Sequence, residues 1–313
     1  MVTTKTSTDL FKDHALALGF SHFGVARATA LEQDRVRFHD WLAASYQAGM
    51  RYLERAPERR TDPRSILEVA ASVIMVAYNY YHPYSNGGNE FRVSRYAWGD
   101  DYHEILLPKL IALQETLGEC FPGSESKAYT DTGPVMEKSW AARAGIGWLG
   151  KNACLITRDV GSWVFLGTII TTATLEYDEA ISDFCGRCTR CLDACPTQAL
   201  VQPYVLDSAK CISYLTIEMK GDDGPEQQGF DYQNWVFGCD ICQEVCPWNR
   251  FALPSKDTAF EPRTEILHLN EEDLANQDES TFRQKYGNSP LLRPGLKGMQ
   301  RNFRRVSKGK QQS

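Results

Sequence analysis

The sequence contains no run approaching the ~18 consecutive apolar residues that a membrane helix requires. Its most apolar stretches, Val69–Ala77 and Trp163–Leu175, are short or broken by Gly and Thr. The opening MVTTKTSTDLFKDHAL lacks the apolar centre of a secretory signal, so a cytoplasmic protein without membrane attachment is expected. Positive charge is also short: the net charge is −6. No whole-molecule field gathers nucleic acid or an anionic surface, and any such contact needs a local basic patch. There is no G-x-G-x-x-G behind a strand and no Walker A sequence, which leaves dinucleotide and P-loop folds unsupported. No internal repeat occurs beyond two cysteine boxes.

What the sequence does have is an ordinary globular composition, 42% hydrophobic and 24% charged, over 313 residues. That length suggests two or three units. Residues 8–56 read as helical, with Thr8 or Asp9 as a cap and apolar residues at helical spacing over Trp41–Leu53. Val69–Tyr80 reads as a buried strand, and the HPYSNGGN that follows as a loop. Tyr102–Leu117 and Val135–Ala144 read as helices and Lys127–Asp131 as a strand end. GIGWLGKN (145–152) is a glycine-rich connection, and 154–157 with 163–172 form a candidate hairpin. This mixture indicates an α/β (α+β) domain over 1–176, a cysteine-dominated domain over 177–252, and a helical, terminally basic segment over 253–313.

Ten cysteines in such a chain point to metal or redox work rather than disulfides. Eight form two boxes. The first is Cys185-x2-Cys188-x2-Cys191-x3-Cys195-Pro196; the second is Cys239-x2-Cys242-x3-Cys246-Pro247, with Cys211 upstream. Two-residue spacers let a tight loop wrap one 4Fe–4S cube, while the cysteine before proline reaches the other. This gives Cys185, Cys188, Cys191 and Cys246 to one cluster and Cys195, Cys211, Cys239 and Cys242 to the other. Paired C-x2-C knuckles also bind zinc, but three cysteines at x2 spacing ending in Cys-Pro suit cubanes better. Cys120 and Cys154 read as small buried residues.

Three further segments stand out in order: SRYAWGDDYH (94–103), DTGPVMEK (131–138) and GIGWLGKN (145–152). Followed by the two cysteine boxes, they resemble the epoxyqueuosine reductases, over about Arg59 to Pro247. The resemblance implies a cobalamin-binding domain of α/β (α+β) class, then a bacterial-ferredoxin-like domain with two 4Fe–4S clusters, then a short helical segment. It implies reduction of epoxyqueuosine to queuosine at the wobble position of tRNA, with cobalamin as cofactor and kinship to reductive dehalogenases. Asp131 matches the proposed proton donor, and Asp101, Tyr102, His103 and Lys138 match active-site polar positions. Ser94, Lys151, Asn152, Leu155, Ile156 and Thr157 align with corrin-contacting segments, and Arg60 with a propionamide or phosphate contact. Longer members continue into a helical-repeat domain that helps hold tRNA, and this chain is expected to be a short form.

The residues also admit plainer readings. Asp131 can serve as a helix cap ahead of Pro134, and His103 as a structural histidine. Position 106 is Leu where a D-x-H-x-x-G cobalt-ligating motif needs Gly, so His103 is not a lower ligand. Two alternatives to the tRNA enzyme are a corrinoid dehalogenase and a two-cluster electron carrier. The expected partners are the tRNA anticodon stem-loop and an external donor such as ferredoxin or flavodoxin, acting on a monomer. Arg293, Lys297, Arg301, Arg304, Arg305, Lys308 and Lys310 crowd the end without an acidic neighbour, and are expected to contact phosphates.

Overall fold

A computed structural model describes residues 6–83, 90–221 and 229–310. The loop expected over 82–89 therefore lies mostly outside the described residues, as do the side chains of Lys308 and Lys310.

The N-terminal part is built on a four-stranded sheet of β1 (His22–Arg27), β2 (Ser72–Asn79), β3 (Ser126–Tyr129) and β4 (Val164–Thr171). Its order is β1-β2-β4-β3, and each neighbouring pair is antiparallel. Side chains alternate across a strand. Ile74, Val76 and Tyr78 therefore enter one core, with Phe11 and Ala15 of α1 (Ser7–Ala17) and Leu106, Leu110, Leu113 and Leu117 of α2 (Tyr102–Cys120). Val73, Met75 and Ala77 enter another, with Trp140 and Ala141 of α3 (Glu137–Arg143). Covering both faces explains why β2 reads as an unbroken apolar run instead of an alternating one.

Several local expectations are corrected. The region 8–56 is not continuously helical. A capping box of Thr6 and Asp9 starts α1, β1 follows it, and a second helix covers Glu32–Ala43. β1 is only six residues long and is recruited by pairing with β2, a non-local cause that helical periodicity cannot register. The expected hairpin does not form. Leu155–Ile156 pairs with Trp148–Leu149, while β4 pairs with β2 and β3. The glycines of GIGWLGKN are needed for that small pairing: a Cβ on Gly147 would lie 2.3 Å from the Ile156 carbonyl oxygen.

The cysteine region and the C-terminal segment share one core. Trp235 and Phe237 pack with Val93 and Ala97 from the first part and with Leu274, Phe282 and Phe303 from the last. Part of the basic end is internal, which corrects the expected phosphate contacts at Arg301 and Arg305. On α4 (Gly295–Lys310), Arg301 and Arg305 are 8% and 7% exposed. Arg301 donates to the carbonyls of Met219 (2.8 Å) and Gly221 (3.0 Å), and Arg305 donates to that of Leu215 (2.6 Å). Asn302 donates to Thr216 O (2.7 Å) and Val236 O (2.9 Å). Leu215 and Thr216 lie in the last turn of the helix Ile212–Ile217. A helix leaves its last carbonyls unpaired and its C-terminus partly negative, so buried arginines beside it are held for structural reasons. Of the basic side chains described in residues 293–305, Arg293, Lys297 and Arg304 are exposed, and Arg293 is paired with Glu218 at 3.1 Å.

Candidate active site and cluster cavities

The structure sorts the cysteines by space as well as by spacing. Cys185, Cys188, Cys191 and Cys246 line a cavity of about 240 Å³. Cys195, Cys211, Cys239 and Cys242 line a second of about 200 Å³, together with Cys154. Every one of these thiols is half-buried and unpaired by disulfides. Each Cys-Pro cysteine thus faces the hollow its spacing assigned to it, Cys246 the first and Cys195 the second. Cys154 is therefore more than a distant core residue. The donor set in each hollow is sulfur, as cubane ligation requires.

The GIGWLGKN loop joins these two hollows. Lys151 Nζ donates to the carbonyls of Gly186 (2.7 Å) and Cys188 (3.0 Å). Asn152, 5% exposed, donates to Cys242 O at 3.3 Å and lines both cavities. Leu155, Ile156 and Thr157 are buried behind it. Ser94 is also buried, with its hydroxyl donating to Asp240. None of these six residues lines the cavity of about 1120 Å³ beside them; the polar groups of Lys151, Asn152 and Ser94 bond within the cysteine region, and the Thr157 hydroxyl donates to Gly161 O at 3.0 Å.

This cavity of about 1120 Å³ gathers Arg60, Asp101, Tyr102, His103, Asp131 and Lys138 from three separated stretches of chain. Asp101 caps α2, accepting the His103 N–H at 3.0 Å and facing its ring Nδ1 at 2.7 Å. Burial alone would raise the Asp101 carboxyl, but the ring and backbone N–H of His103 together hold it below its usual range. The same contact raises His103. Tyr102 stacks on His103 and on Phe165, with centroids 4.0 and 4.3 Å away, and donates its hydroxyl to Asp131 Oδ2 at 2.8 Å. Burial, then the charge of Asp131, keeps that phenol protonated.

Asp131 itself sits at φ 56°, in the left-handed region that non-glycine residues seldom occupy. It is exposed and caps no helix: α3 begins after Met136 without a side-chain cap. Its backbone N–H is held by Glu137 Oε1 at 2.8 Å. Glu137 lies within the 131–138 segment, where the sequence alone assigns it no role. Burial pushes it up to about 7, with the charge of Asp131 adding and that residue's N–H opposing. Lys138 Nζ donates to Ala153 O at 3.0 Å, and Lys138 lines both this cavity and the second cysteine cavity. Arg60 lines the cavity with a buried Nε that has no hydrogen-bond partner among the described residues. The remaining wall includes Tyr52, Ile217, Asn288, Pro290, Leu292 and Arg293. Residues 288–293 carry no motif, and only folding brings them here.

Two thiol-lined hollows beside a large cavity with a carboxylate, a phenol and an imidazole on its wall define an iron–sulfur oxidoreductase. Comparison with known proteins makes this specific. Residues 60–132 match the family model described as Epoxyqueuosine reductase QueG, DUF1730, and residues 184–249 match the 4Fe-4S double cluster binding domain. An epoxyqueuosine reductase of Cellulophaga algicola is 40% identical over 303 residues, 97% of this chain and 99% of the relative. One from Synechocystis is 47% identical over 275 residues, 86% and 94%. A crystal structure of epoxyqueuosine reductase with an epoxyqueuosine-modified tRNA-Tyr stem loop is 32% identical, covers 96% of this chain and 80% of that one, and superposes with TM-score 0.88. The chain belongs to the epoxyqueuosine reductase family.

Proposed function

We propose that this protein reduces epoxyqueuosine to queuosine in tRNA, with the 1120 Å³ cavity receiving the modified base and cobalamin. The observation that carries this reading is the convergence of Asp131, Tyr102, His103 and Asp101 on one cavity, in a chain whose relatives carry this activity by name. The residues fit a corrin ring: the cavity mixes apolar wall with polar and charged groups, and Arg60 presents a buried N–H without a partner among the described residues. When bound, cobalamin supplies a low-potential cobalt centre able to take single electrons and deliver them to an epoxide carbon.

The chain's own residues do the rest. Cys185, Cys188, Cys191 and Cys246 hold an outer 4Fe–4S cluster; Cys195, Cys211, Cys239 and Cys242 hold an inner one. The inner cavity shares Lys138 with the large cavity and Asn152 with the outer one, which supports reading the cluster sites as a sequence. Deoxygenating an epoxide to an alkene takes two electrons and two protons and releases water. Asp131 holds one of those protons at the departing oxygen. Tyr102 orients the Asp131 carboxyl, Glu137 holds its backbone, and the His103–Asp101 pair keeps a second proton at the same wall. An external donor supplies the electrons. The tRNA is gripped at the rim, where Arg293 stands, and the wobble base is taken inward, as base-modifying enzymes commonly do.

The test is retention of cobalamin by the anaerobically reconstituted protein and conversion of an epoxyqueuosine-bearing anticodon stem-loop. Dehalogenation of an aryl halide without action on the stem-loop would favour the dehalogenase reading instead.

A further inference from the structure

The outer cysteine cavity opens on a face unlike the rest of an acidic protein. Arg158, Arg187, Arg190 and Arg250 are all exposed around it, and none forms an ion pair among the described residues. Two of them lie over aromatic rings, Arg158 on Phe184 at 4.6 Å and Arg250 on Phe251 at 4.5 Å. Phe184 and Phe251 are 39% and 52% exposed. Behind Phe184 stand Trp148 and Trp248, packed edge-on to each other at 4.8 Å. A second hollow of about 820 Å³ adjoins the first and shares Arg190, Cys246, Pro247 and Arg250 with it.

The acids on this face are already engaged. Asp183 accepts the Cys185 N–H and the Tyr204 hydroxyl. Asp193 accepts the Thr189 hydroxyl at 2.8 Å. Glu244 is paired with Arg92 at 2.8 Å. Asp183 and Asp193 accept from neutral donors and keep their charge, so the four arginines outnumber two carboxylates. The face therefore presents a local excess of positive charge and exposed aromatic surface, while the chain as a whole carries −6. Positive charge around an apolar centre is the complement of an acidic protein surface, and it speeds encounter by steering. At the middle of the face lie half-buried thiols assigned to a one-electron centre.

We propose that this face docks an acidic one-electron carrier protein, which reduces the cluster held by Cys185, Cys188, Cys191 and Cys246. The proposal rests on the cluster assignment above. Each encounter moves one electron, oxidising the carrier by one and reducing the cluster by one, with no bond made or broken. Two encounters supply the two electrons for each epoxide.

The test uses the full-length holoprotein carrying Arg158→Gln, Arg190→Gln and Arg250→Gln together. Cluster bleaching is followed by stopped flow with a reduced acidic plant-type ferredoxin, and separately with reduced methyl viologen, a small cation that needs no docking face. The ferredoxin rate constant should fall by about tenfold or more and lose most of its salt dependence. The viologen rate should hold or rise, and iron content should stay at the parental level. The triple Lys variant, which keeps the charge, should recover most of the ferredoxin rate. An unchanged ferredoxin rate overturns the proposal. So does equal slowing with both reductants, which would mean a damaged cluster. Weakened tRNA binding with an unchanged ferredoxin rate would make the face an RNA surface and also overturn it. No epoxyqueuosine enters the assay, so its outcome is separate from the substrate reading.

Discussion

The cysteine cavities and the large cavity are sites of opposite construction. The first take their groups from short boxes whose spacing is itself the geometry, with one outlier, Cys211. The second takes its groups from positions 52–60, 96–104, 131–139, 217–218 and 288–293, each stretch held by a different element. A site of the first kind should tolerate little at its ligands and ignore its surroundings. A site of the second kind should be graded, because each wall segment can give a little.

The sharpest test of this contrast is at Cys211, which has no box to place it. Cys211→Ser should cut iron from about eight to about four per chain and abolish turnover. Cys154→Ser, in the same cavity, should keep both clusters. Iron analysis decides between them, and the opposite pattern would exchange their roles.

Next is the catalytic wall. Asp131→Asn keeps an acceptor for the Tyr102 hydroxyl but removes the acid proton, and should slow turnover by ~10²–10⁴-fold with both clusters intact. Near-parental turnover would remove Asp131 from the chemistry.

The third test concerns the C-terminal helix. Arg301→Ala removes the donor to the carbonyls of Met219 and Gly221 and one of two donors to that of Leu215, and should cost about 2–4 kcal/mol. Arg304→Ala, on the exposed side, should stay within about 0.5 kcal/mol. Urea unfolding measures both, and similar small losses would return Arg301 to the surface role.

The smallest effect is at Glu137. Its folded-state value, about 7, lies above the ordinary 4.5, so the folded protein holds the proton more tightly. That contribution is complete below pH ~4.5 and is lost as pH rises through about 7. Glu137→Gln should therefore match the parent near pH 5 and exceed it by about 2 kcal/mol at pH 8. A constant difference between the two across this range would show that Glu137 does not titrate there.

Legibility in the sequence followed the same division. The two cysteine sets could be written down from spacing because x2 loops wrap one cube and the Cys-Pro arm reaches the next. β2, α2 and α3 were legible because their apolar runs are long or periodic. β1 was not, since its six residues become a strand only by pairing with β2. Arg301 and Arg305 were misread as surface charge because a run of arginines looks alike whether it faces water or the carbonyl end of a helix. The bonds of Lys151 and Asn152 to the carbonyls of Gly186, Cys188 and Cys242 had no signal in the sequence, because they join residues 35–90 positions apart. Glu137 was visible in the 131–138 segment, yet its role depends on the left-handed turn at Asp131, which no sequence pattern announces. The 288–293 wall had no local signal at all.

The most direct measurement is a single turnover. The reconstituted protein, with both clusters and cobalamin fully reduced and excess donor removed, is mixed with epoxyqueuosine-containing tRNA. The digested nucleosides are then separated and weighed by mass spectrometry. Queuosine should appear as the clusters reoxidise, and Asp131→Asn should leave epoxyqueuosine in place with its clusters still reduced. Reoxidation with no change in the nucleoside, or equal queuosine from the Asp131→Asn protein, would contradict the account.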